Sequence, residues 1–358
     1  VEDEVVLNTQ DDLKNILRTE MNASQSIARN ARERLLDGAL SNDKCEAIKT
    51  DKPFTVNGKA SDSSANLDAN YHNIETNCGY NERIETIIDI AIIKNNNGKE
   101  STTISASHLR ENLVDEDTLR GWRVSLNQQE STINNTVTGE SKNMGLSLGA
   151  YQITKLSDNT VWDLFGSVGY GKYDLSFTQQ SINVSSKLNH FSAVLGSAIS
   201  GEYEYKDLTF RPEAFSIYGR DFGGDADVNA SNQTRNDKGI IHIPSVSIWK
   251  YGLGGSLDYN LDKDSNIEFG GYGVCENSNI SKNECGYELS AELEKSIDSD
   301  SIFKVGVSYN DMKTYNATRY KLSYEKQLRH LENGSLKIEN TMNDDLKPTV
   351  GLKLNVDF

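Results

Sequence analysis

From about residue 118 to the end of the chain, apolar and polar residues alternate in short segments. In the segment SIFKVGVSY, every second residue is apolar: Phe303, Val305, Val307 and Tyr309. Successive side chains of a β-strand point to opposite faces, so this period predicts strands with one apolar and one polar face. Turns rich in Asn, Asp, Ser and Gly divide roughly twelve such segments, the spacing expected of an all-β domain.

Residues 11–36 carry the one clear stretch with helical spacing. Its apolar positions include Leu13, Leu17 and Met21, which recur on one side of a helix. The centre, NASQSIARNARERL, is rich in small and polar residues. The pattern leaves two alternatives open, an amphipathic helix packed on a sheet and a helix inside a polar channel.

The alternating strands allow two folds. A soluble sandwich would turn the apolar faces inward, whereas a membrane barrel turns them outward to lipid. The polar faces carry Gly, Ser, Glu and Lys, and connections alternate between short and long. Aromatic residues sit near the ends of the apolar stripes, as membrane interfaces favour: Trp122, Tyr151, Trp162, Tyr170, Tyr259, Tyr287, Tyr309 and Tyr324. The pattern therefore predicts an all-β, antiparallel transmembrane β-barrel of about twelve strands.

Residues 37–117 fit this scheme less clearly. The segment RIETIIDIAIIKNNNGKESTTISASHL predicts a β-hairpin around the turn NNNGK. The hairpin could add two strands and give a barrel of fourteen. We expect residues 37–117 to form a small, separate β-rich insert instead, because the strands from residue 118 already complete the count.

Composition narrows the possible functions. The chain has 358 residues, 36% of them hydrophobic, and a net charge of −16. A low hydrophobic content suits a barrel, since only the lipid-facing half of each strand must be apolar. The acidic balance argues against a nucleic-acid partner, because few cations would neutralise phosphates. With no initiator Met and no signal peptide, we expect a processed product or the end of a longer protein.

Four cysteines fall into two pairs, Cys45 with Cys78 and Cys275 with Cys285. Neither pair has CxxC spacing and no His pair accompanies them, so a zinc site is not expected. An even number of cysteines at loop-like positions favours disulfides in an oxidising compartment, with free thiols as the alternative.

No catalytic, cofactor or metal site is expected. The five histidines are scattered, none lies in a recognisable motif, and the run GLGGS lacks the strand–turn–helix context of a nucleophile elbow. We therefore expect a protein that is not an enzyme.

Three segments resemble the translocator barrel of autotransporters, the type V secreted proteins of Gram-negative bacteria. KNMGLSLGAYQITKLSDNTVWDLFGSVGYGKYDLSF is similar to its second and third strands, and EYEYKDLTFRPEAFSIYGRDF to the following hairpin. GVCENSNISKNECGYEL resembles a paired-cysteine hairpin loop of an alphaproteobacterial-like subgroup. The resemblance covers roughly residues 118–358 and the preceding helix.

The resemblance implies an outer-membrane translocator that exports an N-terminal passenger and tethers it at the cell surface. Residues 1–36 would be a linker whose helix lies in or near the lumen, and residues 118–358 would form the barrel. A porin-like diffusion channel without a passenger and a soluble secreted β-rich adhesin remain as alternatives. The expected partners are outer-membrane lipid and lipopolysaccharide, the barrel assembly machinery and the covalently joined passenger.

Two sets of residues carry this interpretation. The helix would be held by Arg29, Arg32 and Arg34, paired with lumen acids such as Glu288 and Glu292. At the other end of the chain, the strand TVGLKLNVDF would close the barrel against a first strand near LRGWRVSLNQ. Its last apolar residues would form the assembly signal: Leu354, Val356 and Phe358.

The bare C-terminus gives a first prediction. A charged tag appended after Phe358 should impair insertion, because it follows the residues expected to be recognised during assembly. The amount of folded barrel in the outer-membrane fraction measures the effect, and the same tag placed before Val1 is the control. Normal insertion of the C-terminally tagged chain would count against an assembly signal there.

Overall fold

A computed structural model gives the fold of most of the chain. It describes residues 2–40, 45, 54–60, 64–95, 100–134, 138–179, 181–232, 236–312, 315–328, 334–343 and 348–356.

One long helix precedes a series of strands. Helix α1 spans Glu2–Leu36, and a short 3₁₀ turn spans Cys78–Tyr80. The described residues form nineteen strands: β1 (Phe54–Ala60), β2 (Ser64–Asn77), β3 (Glu82–Asn95), β4 (Glu100–Asp115), β5 (Thr118–Asn134), β6 (Thr138–Ser157), β7 (Thr160–Gln179), β8 (Ile182–Gly201), β9 (Tyr203–Tyr205), β10 (Leu208–Asp221), β11 (Gly224–Ser231), β12 (Asn236–Ile243), β13 (Val246–Asp262), β14 (Ser265–Ser278), β15 (Glu284–Asp298), β16 (Ser301–Met312), β17 (Tyr315–Leu328), β18 (Gly334–Asn343) and β19 (Pro348–Val356).

The strands close into one antiparallel barrel. Each pairs with its neighbours in chain order, except that β10 pairs with β8 on one side and β13 on the other. Strand β9 extends the β8 side of that ladder, and β11–β12 form a hairpin seated on the end of β8. Strand β19 pairs with β1 and closes the circle, so sixteen strands of the described chain form the wall.

This count corrects two expectations about strand number and domains. Residues 54–115 form β1–β4, which belong to the wall rather than to a separate insert. The closing partner of TVGLKLNVDF is β1, with Val350 opposite Ala60, whereas LRGWRVSLNQ lies in β5 between β4 and β6. A barrel has no edge strand, so further alternating segments widen the circle instead of stacking outside it.

The outer face of the wall is apolar. Along β7, exposed Trp162, Leu164, Val168 and Tyr170 alternate with buried residues that face the interior. The apolar band from Trp162 to Tyr170 covers nine residues, close to the roughly 9–11 that a tilted strand needs to cross a bilayer. A soluble sandwich would bury these side chains, so the adhesin alternative is wrong. No helix of the described chain is long and apolar enough to cross a membrane.

Aromatic residues edge the apolar band as expected, with one exception. Trp122, Trp162 and Tyr259 are exposed near one edge of the band, and Tyr170 and Tyr287 near the other. Tyr151 does not belong to these girdles.

Tyr151 instead faces the interior and is buried. Its ring lies against Gly121 on the neighbouring strand, where a Cβ atom would come within 2.2 Å of the ring carbon Cζ. The missing side chain at position 121 is what lets the ring lie flat there.

The two ends of the barrel differ. At one, here called the turn end, strands join through two-residue turns at 116–117, 158–159, 263–264 and 299–300. The other, the hairpin end, carries β11–β12 and polar continuations of β6–β8 beyond the apolar band. Beyond Tyr170, for example, the outward positions of β7 are Lys172, Asp174, Ser176 and Thr178.

The close approach at Gly121 gives a prediction. Gly121→Ala should lower stability by about 1–3 kcal/mol, because the new methyl group overlaps the Tyr151 ring and forces it to move. The thermal midpoint in detergent measures this. Gly239→Ala is the matched control, because a Cβ there has no atom within 4 Å. An equal midpoint for the two variants would contradict the packing described here.

Candidate functional site

Helix α1 lies inside the barrel along one side of the wall. It packs against β5–β8, β10, β12 and β13. At about 1.5 Å per residue, its 35 residues extend over about 52 Å, enough to cross the whole barrel. The candidate functional site is this helix together with the wall that holds it.

Two apolar clusters fix the helix at its two ends. Near its N-terminus, Val5 and Leu13 are buried with Tyr173, Leu188 and other residues of the hairpin end. Near its C-terminus, Ala31 and Leu35 belong to a cluster with residues of the turn end, among them Leu119, Ile153 and Val161. The N-terminus of α1 therefore lies at the hairpin end and its C-terminus at the turn end.

The small residues in the middle of α1 bring it close to the wall. Ala28 and Ala31 are fully buried, and the Ser24 hydroxyl lies 3.3 Å from that of Ser167 on β7. Short side chains reduce the distance between a helix axis and the surface it packs on. The weakly apolar sequence NASQSIARNARERL therefore lies in the lumen. Of the two alternatives for this stretch, the helix inside a polar channel is confirmed.

All three arginines named from the sequence pair with carboxylates of the wall. Arg32 bridges two of them, with Nη1 2.7 Å from Asp163 Oδ2 and Nη2 2.9 Å from Glu213 Oε2. Arg29 Nε donates to the same Glu213 at 2.9 Å. Arg29 and Arg32 thus join the helix to β7 and β10.

Arg34 makes the most enclosed of these pairs. Its Nε and Nη2 donate to the two oxygens of Glu111 at 2.6 and 2.7 Å, and Glu111 is 0% exposed. The Tyr151 hydroxyl donates to Glu111 at 2.6 Å, and Arg83 Nη1 lies 3.6 Å from Glu111 Oε1. Two-pronged arginine–carboxylate pairs fix orientation as well as charge.

The acids named from the sequence are not the partners. Glu292 points into the lumen but lies near Lys321 at 3.5 Å and Lys304 at 3.8 Å. Glu288 also occupies a lumen-facing position, between the outward Tyr287 and Leu289. Both lie on β15, which α1 does not pack against. Charge sign alone could not indicate which of many lumen acids the helix would meet.

Sequence reasoning missed several further contacts of the helix. Arg18 Nε donates to Glu276 at 2.9 Å, Lys14 Nζ to Ser281 at 2.6 Å, and Arg123 pairs with Glu20 at 2.7 Å. Tyr173 donates to Asp12. One feature of the sequence did indicate these contacts: charged residues are spread along the whole of α1. A helix inside a polar lumen can pair such residues with charged residues of the wall.

The remaining named residues are placed as follows. Disulfides join Cys45 to Cys78 and Cys275 to Cys285, as the cysteine pairs suggested. Leu354 and Val356 lie on β19, opposite Val56 and Phe54 of β1. Phe358 lies outside the described residues, so the assembly signal stays a prediction. No group of three or more potential metal-binding side chains occurs in the described part of the chain.

Known proteins bear on the fold. No family model and no curated protein matches the chain. Among solved structures, CdiB from Acinetobacter baumannii is 8% identical, with a TM-score of 0.56, over 88% of this chain and 60% of that one. The TodX monoaromatic hydrocarbon channel is 9% identical, with a TM-score of 0.50, over 91% and 94%. The chain thus spans less than two thirds of CdiB.

A translocator barrel is also among the similar structures. The translocator domain of autotransporter NalP from Neisseria meningitidis is 11% identical, with a TM-score of 0.40, over 94% of this chain and 98% of that one. Such low identities bear on fold alone. With its closed wall and apolar outer face, the chain has the fold of a membrane-spanning β-barrel.

The Arg34 pair gives a prediction about the seat of the helix. Glu111→Ala should destabilise the barrel by about 3–5 kcal/mol, because it leaves Arg34 enclosed without its carboxylate. Amide hydrogen exchange of the last turn of α1, together with thermal unfolding in detergent, measures the effect. Glu130→Ala is the control: it breaks an exposed pair with Lys142, for which about 0–1 kcal/mol is expected. Unchanged exchange in Glu111→Ala would contradict the role given to this pair.

Proposed function

We propose that the protein is an outer-membrane translocator and anchor. In this proposal the barrel fixes the chain in the membrane, and α1 carries the connection from the periplasmic side to the cell surface. A polypeptide joined ahead of α1 is exported and then held at the surface. The work requires no catalysis.

The direction of α1 is the observation that carries the proposal. The helix starts among residues of the hairpin end and finishes among residues of the turn end. Gln10 donates to the Pro244 carbonyl beside the hairpin, whereas Leu40 packs in the cluster at the turn end. Strand β1 also begins at the turn end, since β19 ends opposite its first residue. The chain therefore runs through the lumen before it enters the wall.

Membrane barrels generally have short periplasmic turns and longer outer loops. By this rule the turn end faces the periplasm. The hairpin end faces outward, since it carries β11–β12 and polar strand ends above the apolar band. A segment ahead of α1 would then emerge at the cell surface.

The contacts of α1 suit a lasting tether. Apolar clusters at both ends and arginine pairs along its last two turns resist withdrawal in either direction. A simple diffusion channel needs no helix whose N-terminus has crossed the barrel. This favours the translocator over the porin-like alternative.

Surface labelling tests the proposal. A short epitope or a biotin acceptor placed before Val1 should be accessible on intact cells, because the proposal puts that end outside. Antibody binding or protease removal without permeabilisation measures it. The matched control carries the same epitope in the turn at 299–300, on the expected periplasmic side.

The outcomes are distinct. Labelling of the N-terminal epitope on intact cells, with labelling of the turn only after permeabilisation, supports the proposal. An N-terminal epitope that is reached only after permeabilisation overturns it, even where the barrel is folded and inserted.

A further inference from the structure

We infer that a water-filled passage remains beside α1 and conducts small cations while the helix is seated. This activity does not rest on the proposed export of a passenger. It follows from the width of the barrel, the one-sided position of the helix and the charges on the opposite wall.

The width of the barrel is the first step. Sixteen strands form the wall, and barrels of about sixteen to eighteen strands leave an aqueous channel. One α-helix with its side chains is only about 10–12 Å across. A single helix therefore cannot fill such a lumen, whichever way it is oriented.

The position of the helix is the second step. It is held mainly on the side of the wall from β4 to β13, and Arg18 and Arg29 extend from it to Glu276 and Tyr272 of β14. A cavity of about 540 Å³ lies beside its C-terminal half. Arg29 and Glu33 of the helix line one side, and Glu268, Tyr272 and Ser290 of the wall line the other.

The wall opposite the helix is accessible to solvent although it faces the lumen. Glu292, Lys304 and Lys321 occupy lumen positions, yet their side chains are 33%, 30% and 33% exposed. Residues facing α1 from the other side, such as Asp163 and Glu213, are almost fully buried. The contrast indicates open lumen along β15–β17.

The charges on this wall are uneven. The lumen-facing positions of β14 and β15 carry no Lys or Arg and six carboxylates: Glu268, Glu276, Glu284, Glu288, Glu292 and Glu294. Two pairs of them are direct cross-strand neighbours, Glu268 with Glu292 and Glu276 with Glu284.

Like charges placed directly opposite each other destabilise a sheet. Stability of the barrel therefore does not explain why these carboxylates cluster here. Arg18, Lys304 and Lys321 pair with members of this group, and Lys14 and Lys250 also face it, so five cations stand against the six carboxylates. The surplus is negative. Charged side chains lining a pore set its ion selectivity, so this wall favours small cations such as K⁺ over anions.

A locked helix tests whether the passage exists. Ser24→Cys with Ser167→Cys places a disulfide between α1 and β7, at positions whose hydroxyls are 3.3 Å apart. The full chain is oxidised, the new bond is verified by mass spectrometry, and single channels are recorded in planar bilayers in KCl. The inferred passage lies on the other side of the helix. The locked protein should therefore conduct within about twofold of the wild type, as expected for an unobstructed aqueous channel. Locked barrels that pass no current overturn the inference.

Charge variants test the selectivity. The reversal potential in a KCl gradient should show K⁺ preference over Cl⁻. Glu268→Gln with Glu288→Gln should reduce that preference by about half or more, since lining carboxylates set it. Glu140→Gln, on the outward face of β6, is the matched control and should change nothing. A current that prefers anions, or a preference unaffected by the double variant, overturns the role of this wall.

Discussion

The need to pair every backbone amide inside hydrocarbon governs this structure. A strand with a free edge would leave donors and acceptors without partners, so the sheet must close on itself. Strand β19 does this by pairing with β1, residue by residue from Val350 opposite Ala60 to Val356 opposite Phe54. The number of strands in the closed circle then sets the width of the lumen.

The width of the lumen determines how the helix is held. A helix thinner than the lumen cannot contact the whole wall, so it takes one side. There it uses the means of a protein core, with apolar clusters at both ends and small residues between them. Its arginines add buried charge pairs, which are costly to break when one partner is lost. The opposite wall keeps its charged side chains in water.

The helix and the wall together give the molecule a direction. Helix α1 passes through the lumen from the hairpin end to the turn end. The strands that follow it in the chain form the barrel around it. Such an order makes the N-terminal side of α1 accessible at one mouth while the strands hold the rest in the membrane. The proposed anchoring and the inferred ion passage would use different sides of one lumen, so the two are compatible.

Much of the fold could be predicted from local pattern. The period of two from residue 118 onward indicated membrane strands, and the spacing of Leu13, Leu17 and Met21 indicated the helix. Both depend on which residues are near in sequence, and strand and helix periods are local properties. The two cysteine pairs were likewise indicated by their number and spacing, and the disulfides form between them.

Other features depended on distant contacts. Residues 54–115 alternate less regularly than later segments, so their place in the wall became clear only from the pairing of β4 with β5 and of β1 with β19. Tyr151 is an aromatic residue at a sequence position expected for the girdle. Its ring nevertheless faces the interior, where Gly121 on the neighbouring strand leaves room for it.

The partners of the arginines show the same limit most clearly. The sequence by itself predicted that the arginines near the C-terminal end of the helix would meet lumen acids. Only the tertiary structure decided on Asp163, Glu213 and Glu111 rather than Glu288 and Glu292, because the side of the wall that a helix takes depends on packing along its whole length.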